Sequence, residues 1–427
     1  MEWVVLGAGA SGLGASHLLS RLSEKVLLIE KNLLSDEKKN LLSRRNIDFI
    51  ENDTGQVVFP HQLKGLVLSP GINLKHPYVL QAKAKNLPIW SEVDLALLHF
   101  RGKVISITGT NGKSTTVSMI HTILKNMGFS SILAGNIGTP ASEFIAQGIV
   151  AQFLVLEISS YQLEHSTRLR SDLAVFTNLS PDHIARHGSF RQYIVDKAKI
   201  IPPTGPVIMG EDVAKKMQEY NIPLRKNGVK IIQKSRALDY MQQHDCKFAE
   251  WHNQLNGFFA IQSISTLLNL ELLSLVEHLD NFIPLPHRCE KIGKINGMSI
   301  INDSKATNVA STMIALSNQK NSTLLFLGGQ SKGESFAAIK QYSNIVKKVV
   351  VFGSSQKIIE DELKDTFEII PFRSLSESIG MLDSFLPQKS DILFSPGCAS
   401  FDEFNNFEHR GEVFKKLMNS FMDREPQ

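Results

Sequence analysis

Cysteine is scarce in this chain: Cys246, Cys289 and Cys398 are the only three in 427 residues, far apart and without a C-x-x-C spacing. That excludes a disulfide framework and a zinc knuckle and fits a reducing compartment. Long apolar runs are missing too, and nothing approaches the roughly 18 consecutive apolar residues of a bilayer span. The N-terminus is apolar but lacks a basic region and is interrupted by Gly7, Gly9, Gly12 and Gly14, unlike a signal peptide. A cytoplasmic protein with no membrane partner is expected. Net charge is small, +4, with Lys and Arg interleaved among Asp and Glu, which argues against a nucleic-acid groove. What is present is globular in kind: 42% hydrophobic and 21% charged residues leave no case for disorder.

Short β-branched runs recur along the chain at Val4–Leu6, Val26–Ile29, Leu66–Leu68, Val104–Ile107, Leu154–Leu156, Ala174–Phe176, Ile300–Ile301, Leu324–Leu327, Val349–Phe352 and Ile392–Phe394. Many are separated by helix-length segments, the alternation of α/β units with parallel sheets. After Lys113 the apolar residues Val117, Ile120, Leu124 and Met127 follow helical spacing, and Gly128 is a stop signal. Boundaries near Pro88–Glu92 and at Pro284-Leu285-Pro286 suggest three domains, 1–91, 92–285 and 286–427. The stretch from Ile201 to Glu250 carries no readable motif.

Two glycine loops follow strands. Gly7-Ala8-Gly9-Ala10-Ser11-Gly12 is a complete G-x-G-x-x-G, with Glu30 ending the next strand at about the distance of a ribose-binding acid. On its own it reads as a nucleoside-diphosphate site, with NAD or FAD the usual occupant, or as a turn that merely packs helix on strand. The second loop, Thr108-Gly109-Thr110-Asn111-Gly112-Lys113-Ser114-Thr115, joins a strand to an amphipathic helix. Glycines expose N–H groups to phosphate, Lys113 neutralises terminal phosphates and the Ser114 hydroxyl suits Mg²⁺. It departs from the standard P-loop, because Ile107 stands where the first glycine would be.

This second loop resembles the G-T-N-G-K-[ST] variant of the Mur ligases and their folylpolyglutamate synthetase relatives. Further landmarks follow in order: Ser69-Pro70-Gly71-Ile72, Gly135-Asn136-Ile137-Gly138, Leu156 to Glu164, Thr177-Asn178-Leu179-Ser180-Pro181-Asp182-His183, His252-Asn253 with Asn256, Pro286-His287-Arg288, Ile301 to Asn308, and Ser395 to Asp402. The resemblance spans essentially the whole chain. The Ser-Ser-Tyr-Gln-Leu-Glu, Asn-Asp-Ser-Lys-Ala-Thr-Asn and Ala-Ser-Phe-Asp stretches look like those of the family's D-glutamate-adding branch.

The resemblance implies an α/β fold of three domains: an N-terminal Rossmann-like domain for a UDP sugar, a central P-loop ATPase-like domain with a parallel or mixed sheet, and a C-terminal Rossmann-like domain for the amino acid. It implies an ATP-dependent, amide-forming ligase that joins D-glutamate to UDP-N-acetylmuramoyl-L-alanine through an acyl phosphate, acting as a monomer. Gly109, Thr110, Asn111, Gly112, Lys113, Ser114 and Thr115 would take the phosphates of ATP, with Asn253, Asn256, Arg288 and Asp303 around the nucleotide. Two Mg²⁺ ions would be held by Ser114, Glu157, His183 and a carbamate formed from CO₂ on Lys197; Lys199 is a rival for that role. A carbamate is required there because an ammonium cannot ligate a metal. Lys113, Glu157, His183 and Lys197 are therefore the expected catalytic group. Ser11, Gly12, Lys31, Gly71 and Asn136 would contact the UDP sugar, and Lys305, Thr307, Lys332, Ser400 and Phe407 the D-glutamate.

Taken singly, Glu157 would read as a solvated or capped carboxylate and His183 as a structural histidine. Their order after a phosphate loop reverses that. Three departures from the family pattern stand out: Glu250 replaces the glycine of G-x-H-N, Phe259-Ala260 replaces Ala-Ala, and Ser331 occupies the aspartate position of G-G-x-D-K-G. Alternatives are a member adding L-glutamate or L-alanine, an NAD-dependent oxidoreductase, which leaves the second loop without a purpose, and a phosphate-loop switch protein.

Overall fold

The computed structural model describes residues 2–59, 63–225, 227–244 and 246–423. Its strands form three sheets separated by helices. The first comprises β1 (Glu2–Leu6), β2 (Lys25–Ile29), β3 (Asp48–Ile50), β4 (Leu63–Leu68) and β5 (Ile89–Ser91), all parallel, in the order β3-β2-β1-β4-β5. The second comprises β6 (Lys103–Thr108), β7 (Ser131–Gly135), β8 (Phe153–Glu157), β9 (Leu173–Phe176), β10 (Val207–Gly210) and β11 (Val229–Ile232), also parallel, in the order β11-β10-β9-β6-β8-β7. The third comprises β12 (Glu290–Ile295), β13 (Met298–Asn302), β14 (Thr323–Gly328), β15 (Val346–Phe352), β16 (Glu368–Pro371) and β17 (Asp391–Gly397), ordered β12-β13-β17-β14-β15-β16. It is mixed, because β12 pairs antiparallel with β13.

Every apolar run singled out in the sequence lies within one of these strands. The central strands are buried on both faces, as in β8 and β14, so their sequences are continuous rather than alternating. The helix Lys113–Asn126 lays Val117, Ile120, Ile123 and Leu124, all fully buried, on the second sheet. At about 1.5–3 kcal/mol per buried aliphatic side chain, that face is a principal reason the phosphate loop has a rigid continuation.

By contact density the chain forms two compact units, one of Met1–Leu179, Arg191–Ala249 and Asn253–Phe282, the other of Ser180–Phe190, Glu250–His252 and Ile283–Gln427. The first unit holds two sheets, joined by the helix Ala141–Ala146. Its Glu143 accepts from Arg45 at 2.9 and 3.2 Å and lies 3.0 Å from His17 Nδ1. Beside that junction Glu92 is buried at the start of the helix Glu92–His99. One carboxylate oxygen accepts from Ser142 N–H at 2.7 Å; the other has no partner among the described residues. Among the described residues, no helix is long and apolar enough to cross a membrane.

Burial raises the Glu92 carboxyl above its ordinary value, against the opposing pull of Ser142. An acid whose folded value is raised adds stability below its unfolded value and loses it as pH rises through the folded one. Glu92→Gln is therefore expected to raise the thermal midpoint by a few degrees at pH 8 and to leave it unchanged near pH 4. Thermal melts across that range check it; a variant less stable at pH 8 contradicts the reading.

Candidate functional site

In the second sheet the functional loops leave the C-terminal ends of parallel strands, where open α/β sheets place their ligand crevices. β6 leads into the phosphate loop and then into the helix Lys113–Asn126, which starts at Gly112, a residue with φ of 79° and no side chain to cap the helix. Gly112 lies hard against Asn256: an added Cβ would come within 2.4 Å of its amide oxygen. Asn256 is thus placed as a wall of the loop. Asn253, also buried, lies one turn earlier on the helix Trp251–Leu268.

The loop is anchored from below by β9 and its continuation. Asn178 accepts from Asn111 N–H at 2.9 Å, and the Thr177 hydroxyl donates to Asn111 O at 2.9 Å. At Gly109, φ is +153° and a Cβ would fall 2.0 Å from the Thr177 hydroxyl, so only glycine fits. The Thr110 hydroxyl is 3.1 Å from the Tyr193 hydroxyl on the helix Phe190–Ala198. One turn further along that helix, Lys197 is 1% exposed. Its ammonium donates to Gly109 O at 2.7 Å and Thr108 Oγ1 at 3.1 Å. Lys113 donates to the same Gly109 O, at 2.9 Å, and to Thr110 O at 2.8 Å. Two lysines therefore converge on one carbonyl of the loop. Lys199 instead points outward, 37% exposed, and pairs with Asp196 at 3.0 Å.

Glu157 ends β8 opposite Ile107, beside the root of the loop, and is 2% exposed. Its carboxylate accepts from Asn136 Nδ2 at 2.9 Å. Ser114 and Thr115, both buried, sit in the helix's first turn. The first unit thus brings Gly109 to Thr115, Asn136, Glu157, Lys197 and Asn256 around a single loop.

The first glycine loop is shaped by packing. A Cβ on Gly12 would lie 1.8 Å from Gly7 O, which seats the helix Ala10–Arg21 on its strand. The sequence offered Glu30 as a ribose acid. Its carboxylate accepts from Ala8 N–H at 2.7 Å and Asn32 N–H at 3.0 Å, so it ties the loop to the end of β2. Ser11 is half-buried, Lys31 is exposed, and Gly71 has open space where a side chain would project.

In the second unit, Asp303 follows β13 and is buried. Burial pushes its carboxyl up to about 7, against the opposing effects of Ser395, which donates at 2.7 Å, the Cys289 N–H and Arg288. Lys305 lies 3.9 Å above the Phe407 ring. Thr307 is half-buried beside Asn308, whose side chain caps the helix Val309–Ser317, and Ser400 is buried in the loop after β17. His183 belongs to this unit and adopts a left-handed backbone with φ of 55°, rare for a residue with a Cβ.

Asp182 was visible in the sequence only as a landmark without a role. It is 5% exposed and bonded by Lys332 and Asn308, each at 3.1 Å. Burial raises its carboxyl, but Lys332 and His183 outweigh that and hold it below the ordinary carboxylate range. A Lys–Asp pair 150 residues apart has no sequence spacing by which to find it.

The family model described as the Mur ligase middle domain matches residues 107–272. A UDP-N-acetylmuramoylalanine--D-glutamate ligase of Pseudothermotoga lettingae is 32% identical, covering 98% of this chain and 98% of that protein. One of the same name from Leptospira interrogans is 33% identical, covering 99% and 97%. Among solved structures, the UDP-N-acetylmuramate-alanine ligase of Thermotoga maritima aligns with a TM-score of 0.62 at 18% identity, covering 99% of this chain and all of that one. The MurF ligase of the same organism, in complex with ADP, gives 0.59 at 16% identity, covering 93% and 96%. At such identities the structural likeness speaks for the fold alone.

Proposed function

The chain belongs to the Mur ligase family, and we propose that within it this protein uses ATP to join D-glutamate to UDP-N-acetylmuramoyl-L-alanine, a cytoplasmic step of peptidoglycan precursor synthesis. The three sheets are then an N-terminal Rossmann-like domain (1–91), a central P-loop ATPase-like domain (92–285) and a C-terminal Rossmann-like domain (286–427), working as a monomer. The observation that carries the reading is the phosphate loop on which Lys113 and Lys197 converge at Gly109 O, with Glu157 at the neighbouring strand end.

The donors suit magnesium. Ser114 and Glu157 offer hard oxygens, and among the described residues no group of three or more His, Cys, Asp or Glu forms an all-protein cage. Mg²⁺ is ordinarily held by one or two carboxylates together with substrate phosphates and water, and Ser114 and Glu157 would be the protein's share of such a set. Ser114, Glu157, His183 and Lys197 would hold the ions, whose charge would help to stabilise a crowded anionic transition state. Lys197 suits a carbamate: it is shielded from water, and the one N–H that a carbamate keeps can still donate to Gly109 O. Lys113 would hold the terminal phosphate while the substrate carboxylate attacks it; the bond from that phosphorus to ADP breaks, ADP leaves and an acyl phosphate forms. The amine of the amino acid then attacks the acyl phosphate, and phosphate leaves. Lys305, Thr307, Lys332, Ser400 and Phe407 would hold the amino acid, with Lys332 as the cation for a carboxylate. Ser11, Gly12, Lys31, Gly71 and Asn136 would hold the UDP sugar.

An assay of ADP release with UDP-N-acetylmuramoyl-L-alanine and a panel of D- and L-amino acids tests this. Release is expected with D-glutamate and at least about 100-fold less with L-glutamate or L-alanine, a lower bound for a site built around a substrate's polar groups, which can discriminate by about 10,000-fold or more. Faster turnover with an L-amino acid, or ATP hydrolysis indifferent to amine and carboxylate, overturns the assignment.

A further inference from the structure

Arg410 lies one turn into the helix Phe407–Met422 and is wholly buried. Among the described residues no carboxylate hydrogen-bonds its guanidinium, although Asp303, Asp402 and Glu403 are near enough to favour its charge. Its partners are neutral. Nε donates to the Ser304 hydroxyl at 3.1 Å, one terminal nitrogen donates to Ser304 O at 2.8 Å, and the other to Cys398 O at 3.0 Å and Ala399 O at 3.4 Å. That last nitrogen also reaches Gly328 O at 3.5 Å, and Gly329 has no room for a side chain beside it.

These acceptors belong to three separate loops, and each loop carries residues placed above in the amino-acid site. Ser304 precedes Lys305 and Thr307. Cys398 and Ala399 precede Ser400. Gly328 begins the loop that ends in Lys332, and Gln330 in that loop exchanges two backbone hydrogen bonds with Ala399, at 2.8 and 2.9 Å. The Ser304 hydroxyl in turn donates to Phe407 O at 2.8 Å. Burying a cation among neutral acceptors is costly, and a well-packed apolar side chain would often serve the core as well or better. A planar fork of five N–H groups can hold three backbones in one fixed geometry, which an apolar residue or a lysine cannot.

We propose that Arg410 is a positioning residue for the amino-acid site, a buried guanidinium that sets the register of the loops bearing Lys305, Thr307, Lys332 and Ser400 without itself touching substrate. This rests on the reading of those residues as the amino-acid site. Arg410 acts through geometry, so its loss should fall on one substrate.

In the full-length enzyme, Arg410→Lys is expected to raise KM for the amino acid at least 10-fold while KM for ATP and for the UDP-sugar substrate changes less than 2-fold. The amino acid used is whichever the wild type accepts in the panel above, so a wrong assignment of D-glutamate appears in the wild type and a wrong assignment of Arg410 only in the variant. Amide hydrogen exchange, which needs no substrate, should quicken in 303–307, 328–332 and 398–402 and stay unchanged in 104–126. Ser304→Ala, a milder cut of the same network, should raise the same KM by at least 3-fold and serves if Arg410→Lys does not fold. An unchanged amino-acid KM in a folded variant, an equal rise in all three KM values, or unchanged exchange in the three loops overturns the proposal.

Discussion

Lys113→Ala is expected to slow phosphate release by about 1000-fold or more, with the thermal midpoint within a few degrees of wild type. The two effects differ because the side chain does different things in the two states. In the resting protein its ammonium satisfies Gly109 O and Thr110 O from a half-buried position. Water can take over both carbonyls, so the folding cost is about that of one or two ordinary hydrogen bonds, roughly 1 kcal/mol each. In the proposed reaction the same ammonium would face the charge that builds on the transferring phosphoryl group, where loss of one fixed donor costs about 3–4 kcal/mol and loss of a full charge more. Steady-state rates set against a thermal melt separate the two. Residual turnover within 10-fold of wild type would remove the loop from the mechanism, and a collapse in stability with it would mean that Lys113 serves chiefly to hold Gly109 in place.

The sequence and the structure agree best where local pattern and tertiary burial demand the same thing. Val104–Ile107 is apolar but for Ser106 because β6 is central and covered on both faces, and the helical spacing after Lys113 persists because one side of that helix is wholly buried. β11 went unread because it is short and forms the edge of its sheet, with only Ile232 buried. The phosphate loop was legible because glycine, lysine and serine must occupy fixed offsets between a strand and a helix. Asp182 and Arg410 were not, since their partners lie far along the chain and no spacing rule connects them. Arg410, in Phe407-Glu408-His409-Arg410-Gly411, is 0% exposed. Glu30 stands at a ribose-binding distance from the glycine loop, and what spacing could not show is that its carboxylate accepts from that loop's own backbone at Ala8 N–H.

Lys197→Ala is expected to lose about 100- to 1000-fold or more in turnover, the range for removing one fixed donor from a preorganised site being the lower bound, and to regain part of it with added acetate. Lys197 admits two physical readings that predict opposite rescues. As an ammonium it is a buried donor to Gly109 O and Thr108 Oγ1 that braces the phosphate loop, and a small amine should then restore function. As a carbamate it supplies anionic oxygens, and a small carboxylate diffusing into the space left by the truncated side chain should restore function instead. The proposed function takes the second. Gly109 O already has a donor in Lys113, so a second ammonium on that carbonyl is redundant as a brace. Rates of the variant in acetate and in methylamine, beside wild type with and without bicarbonate, decide between them. Rescue by acetate alone, together with a wild type that loses activity when carbon dioxide is stripped, supports the carbamate; rescue by methylamine alone, or wild-type rates in the unsupplemented variant, sinks it. Lys199→Ala is the control, since that side chain is exposed and pairs with Asp196, and it should retain activity within about 2-fold, as surface ion pairs contribute little.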